Sequence, residues 1–221
     1  MRVGLFGGTF NPIHHGHLRA AVEIQESFRL HKLYLIPAAL PPHKDLKNVL
    51  SVSDRIEMTR LATQDYPDFI LSDVELKRSG PSYTIDTVQA FQNDLEPGSD
   101  LFLIMGLDAF LEIDTWKAYK RLVQMLPIIV MARPLQEGLT NHTEWAAMTE
   151  LIHTQISDAY QFSNQKDCYL HHRYQPIYRQ AISMLDISAT KIRQLVRQNR
   201  SIRFLVPQSV ENYILKQGIY A

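Results

Sequence analysis

Apolar residues along the chain fall into two patterns that take turns: short unbroken runs, and stripes spaced by three or four. Val3 to Phe6 is a run of the kind a buried strand makes, and Leu18, Ala21, Val22 and Phe28 then recur at helical spacing. A second run, Leu33 to Ile36, stops at Pro37 and a proline-rich loop. Met58, Leu61 and Ala62 give the next helix its apolar face, with Ser53 at the N-cap position. Residues 69–76 (FILSDVEL) predict another strand, and Thr84 predicts the cap of a helix through about Gln92. Residues 101–106 (LFLIMG) and 128–133 (IIVMAR) predict two more strands. Between them lies a helical stretch whose stripe holds Trp116, Tyr119 and Val123.

Strand and helix in alternation predict right-handed crossovers and an α/β fold, a doubly wound, mainly parallel sheet. Residues 135–175 interrupt the rhythm. They contain one helical segment (HTEWAAMTELIHTQI) and predict an insertion or variable segment inside a single domain spanning 1–221. Order returns in a C-terminal helical portion, 188–217. Ser188 caps a helix that buries Ile192, Leu195 and Val196. A last helix begins near Pro207, buries Val210, Tyr213 and Ile214, and stops at Gly218.

Charge adds little to this picture and excludes much. Basic and acidic residues balance at 23 each, which argues against a nucleic-acid footprint or a membrane surface as partner. Cys168 is alone, so no internal disulfide can form, and a reducing compartment is expected. No signal-like apolar region follows Met1, and no run approaches the roughly 20 apolar residues of a membrane span. A cytoplasmic setting is expected; oligomeric state is left open.

The candidate chemistry sits in the first turn after the first strand, GGTFNPIHHGH (7–17). A P-loop would need a lysine that is missing here, and Gly4, Gly7 and Gly8 have the wrong spacing for a dinucleotide fingerprint. His14 and His17 could ligate zinc, but no Glu or Cys lies beside them at a familiar spacing. An anion site fits better. Gly7 and Gly8 let backbone amides approach a phosphate at a helix N-terminus, and histidine donates when neutral and adds charge when protonated. A run of surface histidines would explain one such residue, but explains His-x-Gly-His after a Gly-Gly strand end less well.

This turn resembles the signature of the nucleotidyltransferase superfamily that carries His-x-Gly-His. Residues 187–193 (ISATKIR) resemble its second signature, Ile-Ser-x-Thr-x-x-Arg. With PPHK (41–44), PSYT (81–84), GLD (106–108) and DTW (114–116), the chain is similar to the bacterial nicotinate-nucleotide adenylyltransferases over most of its length outside 135–175. Asn11 departs from the aspartate that many members carry there.

The resemblance implies a Rossmann-like nucleotidyltransferase fold. It also implies transfer of the adenylyl group of ATP to nicotinate mononucleotide by direct in-line attack, with no covalent intermediate. His14, His17 and Arg193 are then the catalytic residues. Gly7, Gly8, Thr9, Phe10, Gly106, Asp108, Ile187, Ser188 and Thr190 bind ATP. His43, Lys44, Tyr83, Thr84, Trp116 and Arg133 bind the mononucleotide. Mg²⁺ is expected as cofactor, held mainly by the ATP phosphates and not by a protein cage. The same superfamily leaves phosphopantetheine or a polyol phosphate as alternative acceptors, and the two histidines leave a metal hydrolase as a more distant alternative.

Overall fold

Eight strands form one sheet in the order β3-β2-β1-β4-β5-β8-β7-β6. The structure is a computed structural model that describes residues 1–40, 49–78, 80–132, 142–183 and 185–221. The strands are β1 (Arg2–Gly8), β2 (Lys32–Pro37), β3 (Phe69–Leu71), β4 (Asp100–Gly106), β5 (Ile128–Ala132), β6 (Gln161–Ser163), β7 (Cys168–Leu170) and β8 (Ile177–Ala181). Pairing is parallel from β3 across to β8, and antiparallel from β8 to β7 and from β7 to β6. The sheet is therefore mainly parallel, as the alternation requires.

Side chains alternate between its two faces. Phe6, Leu33, Leu35, Ile104 and Ile129 pack under α1 (His15–Phe28), α2 (Val52–Thr63), α7 (Ala189–Arg197) and α8 (Gln208–Gln217). Val3, Leu5, Leu103, Met105 and Val130 pack under α3 (Thr84–Asp94), α4 (Leu107–Phe110), α5 (Tyr119–Met125) and α6 (His142–Leu151). Helices thus cover both faces, which is the doubly wound arrangement. β1 lies centrally with β2 on one side and β4 on the other. The chain leaves β1 in opposite directions at this point, which opens a crevice above the carboxyl ends of the strands.

Several local expectations need correction. Ser51, not Ser53, caps α2, its hydroxyl accepting the Asp54 N–H at 3.2 Å. Tyr83 precedes α3 and Thr84 is already helical. β3 ends at Leu71, and the rest of 69–76 folds into turns. Trp116 is not helical: it closes a 3₁₀ turn (Ile113–Thr115), and Ala118, at φ 53°, breaks the backbone before α5. The stripe through Trp116, Tyr119 and Val123 therefore does not exist. Described parts of 135–175 join the main body: α6 packs on the sheet, and β6 and β7 extend it. His171 is half-buried between Tyr160 and Tyr174, with the Arg173 and Tyr174 N–H groups donating to its Nδ1. His43, Lys44 and Arg133 lie outside the described residues. No helix among the described residues is long and apolar enough to cross a membrane.

Candidate active site

A cleft of about 870 Å³ opens over the carboxyl ends of the parallel strands. Its floor is built from Leu5 to Gly8 of β1, Leu103 to Gly106 of β4, and Met131 and Ala132 of β5; Ala38, just after β2, also borders it. The first turn closes one end of it through Thr9, Phe10, Gly16 and His17. Trp116, Lys117, Ser82, Tyr83, Thr84, Thr87 and Glu75 line another part.

The two imidazoles at the first turn have different places. His14 is the N-cap of α1 and 3% exposed, and its carbonyl accepts from His17 N at 2.9 Å and Leu18 N at 3.2 Å. His17, one turn into the helix, lines the cleft. The rings stack at 3.7 Å between centroids, and the edge of Phe10 braces His17 at 5.1 Å. His14 N–H donates to His17 Nδ1 at 3.3 Å. That bond needs a lone pair on Nδ1, so the proton of the neutral ring is assigned to Nε2 and His17 is prepared as a donor. Gly16 makes the stack possible, since a Cβ there would come within 3.0 Å of the His14 ring. At β4 the same logic applies to Gly106, where a Cβ would meet the Asp108 carboxylate at 2.4 Å. The glycine lets that carboxylate fold over the end of the strand.

The second signature reaches the same place from the far end of the chain. Ser188 caps α7, its hydroxyl accepting Lys191 N–H at 3.2 Å. Arg193 donates through Nη1 to the Asn11 carbonyl at 2.8 Å and through Nη2 to Thr190 Oγ1 at 3.1 Å. The Ile187 carbonyl lies 3.7 Å from where a Gly16 Cβ would be. Residues 187–193 do not line the cleft themselves; they flank the end that the first turn closes, joined to it through Asn11 and Gly16. Two segments far apart in sequence thus meet beside one end of one cleft.

The sequence profile of the cytidylyltransferase-like family matches residues 5–195. The chain belongs to this family. Among its curated relatives, a protein of Desulfatibacillum aliphaticivorans named "Probable nicotinate-nucleotide adenylyltransferase" is 45% identical, with each chain covered in full. A protein of the same name from Geotalea uraniireducens is 40% identical over 100% of this chain and 98% of its own. Nicotinic acid mononucleotide adenylyltransferase of Plasmodium falciparum, solved complexed with NaAD, has the same fold. Its TM-score is 0.71 at 17% identity, over 99% of this chain and 97% of that one.

Within this cytidylyltransferase-like fold, Gly7, Gly8, Thr9, Phe10, His17, Gly106, Asp108, Tyr83, Thr84 and Trp116 line the cleft. His14, Ile187, Ser188, Thr190 and Arg193 stand beside it. Sequence reasoning missed Glu75, Thr87 and Lys117. Thr87 Oγ1 donates to Glu75 Oε1 at 2.7 Å. The Lys117 ammonium lies 4.5 Å from the Tyr83 ring centre and 3.1 Å from Asp86 Oδ2, which sets a cation beside the N-terminus of α3. Its position next to Trp116 was a signal; Glu75 had none, being placed in a strand that ends at Leu71. No group of three His, Cys, Asp or Glu side chains among the described residues is placed to hold a metal ion.

Proposed function

We propose that this cleft joins ATP and nicotinate mononucleotide to give nicotinate adenine dinucleotide and pyrophosphate, a step of NAD biosynthesis. One observation carries the assignment of the site. The Arg193–Asn11 hydrogen bond, across 182 residues, brings the two signatures to one end of a cleft at the switch point of the sheet. The cytoplasmic setting follows from the pathway and agrees with a buried free Cys168.

A phosphate oxygen of the mononucleotide attacks the α-phosphorus of ATP. The P–O bond to the bridging oxygen breaks, and pyrophosphate carries the electron pair away. Such transfers depend on positioning and charge stabilisation more than on covalent help. His17 donates from Nε2 to the oxygens that gain charge, and the stacked His14 fixes the ring that does so. Backbone groups of Gly7, Gly8, Thr9 and Phe10 hold the triphosphate, and Ile187, Ser188, Thr190 and Arg193 receive its departing end. Gly106 and Asp108 face the ribose of ATP. A divalent cation bound with the triphosphate, Mg²⁺ on this reading, would neutralise part of its charge. Asp108, the carboxylate just after β4, would be its protein contact in the cleft. Trp116 stacks on the pyridine ring, and the N-terminus of α3 at Tyr83 and Thr84 receives its carboxylate. His43, Lys44 and Arg133 are assigned to the mononucleotide from the sequence resemblance.

Pyrophosphate release from ATP and Mg²⁺ with a panel of acceptors tests this. Nicotinate mononucleotide is expected to be the best acceptor, clearly ahead of its amide. A preference for phosphopantetheine or a polyol phosphate would replace the reading, and equal rates with acid and amide would remove the carboxylate site from it.

A further inference from the structure

Arg55 has the largest side chain buried without a place in the scheme above, at 1% exposure. Burial of a guanidinium is costly, and here it pulls the Arg55 pKa below its usual value, with the nearby Tyr220 and Glu75 opposing that. All three guanidinium nitrogens donate to backbone carbonyls. Nη1 meets Thr9 O at 2.9 Å, Nε meets Leu50 O at 3.1 Å, and Nη2 meets Ala39 O at 3.3 Å. These carbonyls belong to three separate pieces of chain: the phosphate turn, the exit of β2 and the entry to α2.

Each piece is held a second time. The Ala39 N–H donates to Ser82 Oγ at 3.0 Å and to Glu75 Oε2 at 3.4 Å, so the residue is held through both its N–H and its carbonyl. The Leu50 N–H donates to Asn11 Oδ1 at 3.4 Å, and the same oxygen accepts from Tyr220 OH at 2.7 Å. Asn11 is in turn the residue whose carbonyl takes Arg193. Ser82, Glu75 and Thr9 all line the cleft.

The geometry points to Arg55 as a positioning residue that holds the phosphate turn in register with the acceptor-side chain at Ala39 and Leu50. It touches neither substrate. It acts through three carbonyls, and a lysine cannot replace it, because one ammonium has no fork to span three divergent acceptors. This rests on the function proposed above, since what it aligns is the attacking phosphate against the α-phosphorus. A misplacement of about an ångström there costs on the order of a hundredfold in rate.

Arg55→Met and Arg55→Lys, with Arg60→Met as a control on the exposed face of the same helix, test it. Sites are counted by titration with a non-hydrolysable ATP analogue, and amide hydrogen exchange is followed in the same preparations. Per ATP-binding site, turnover is expected to fall on the order of a hundredfold in Arg55→Met and tenfold in Arg55→Lys, with analogue affinity near wild type. Exchange at Ala39, Leu40 and Leu50 is expected to accelerate relative to β1 and β4, and Arg60→Met to change neither readout. Wild-type turnover per site in Arg55→Lys, or exchange that rises evenly over the whole sheet, would overturn the assignment. If Arg55→Met does not fold, Arg55→Lys decides alone. A wild-type protein with no turnover on any acceptor would instead count against the proposed reaction, while the exchange pattern still judges Arg55.

Discussion

The phosphate end of the cleft and its acceptor end are built on different principles. At the phosphate end, Thr9 and Asn11 are tied by part-buried hydrogen bonds to Arg55, Arg193 and Tyr220, residues spread over most of the chain, and His14 stacks on His17 in the same turn. At the acceptor end, Trp116 sits on a single 3₁₀ turn and Lys117 is exposed, followed by Ala118 in the left-handed region. On the proposed function, the first arrangement fixes atoms around a group common to every reaction with ATP. The second presents side chains from short elements, which can change without disturbing the sheet. On the proposed function, chemistry is anchored in the scaffold and acceptor choice is carried on its periphery.

If that contrast holds, substitutions at the two ends must fail in different ways. His17→Ala has the largest expected effect: turnover falls on the order of a hundredfold to a thousandfold, with circular dichroism and melting temperature close to wild type. A protein that keeps wild-type turnover would remove His17 from the transition state. Arg193→Ala is expected to raise the KM for ATP by about tenfold and leave that for the mononucleotide within about twofold, because one charge-assisted contact to phosphate is lost. A change confined to the mononucleotide would place Arg193 at the wrong end. Trp116→Ala should give the mirror image. Loss of a stacking platform raises the KM for nicotinate mononucleotide by about tenfold and spares ATP.

The smallest effect concerns the buried ties. Burial raises the Tyr220 hydroxyl above its ordinary pKa of 10.0. The neutral form is the one favoured in the folded state, so this contribution is complete below pH 10 and is lost as pH rises beyond it. Tyr220→Phe should therefore cost about 1 kcal/mol at neutral pH, from the lost bond to Asn11, and make the urea midpoint less sensitive to alkali. Unchanged alkaline sensitivity would show that Tyr220 ionises without consequence for the fold.

The sequence was legible at the two ends for different reasons. The phosphate turn and the Ser188 cap read clearly because their residues are contiguous and each type has a local job at a strand end or helix start. The ties between them did not read, since no local pattern tells Arg193 that Asn11 will be its partner. Arg55 carried a partial signal, falling on the same helical stripe as Met58, Thr59 and Ala62, all buried. A charge on a buried stripe asks for acceptors. Trp116 was misread because the left-handed Ala118 interrupts a sequence whose spacing continues the helix. β6 and β7, at three residues each, are too short for alternation to mark them.

The central claim is that both substrates share one cleft, with the reacting phosphates at the turn of Gly7 to His17 and the pyridine ring at Trp116. A crystal structure with nicotinate adenine dinucleotide bound tests it most directly. The pyrophosphate bridge is expected beside His17 and the Gly7–Thr9 backbone, with the nicotinate carboxylate at the N-terminus of α3. A dinucleotide bound elsewhere, or lying in the cleft with its pyridine ring away from Trp116, would contradict it.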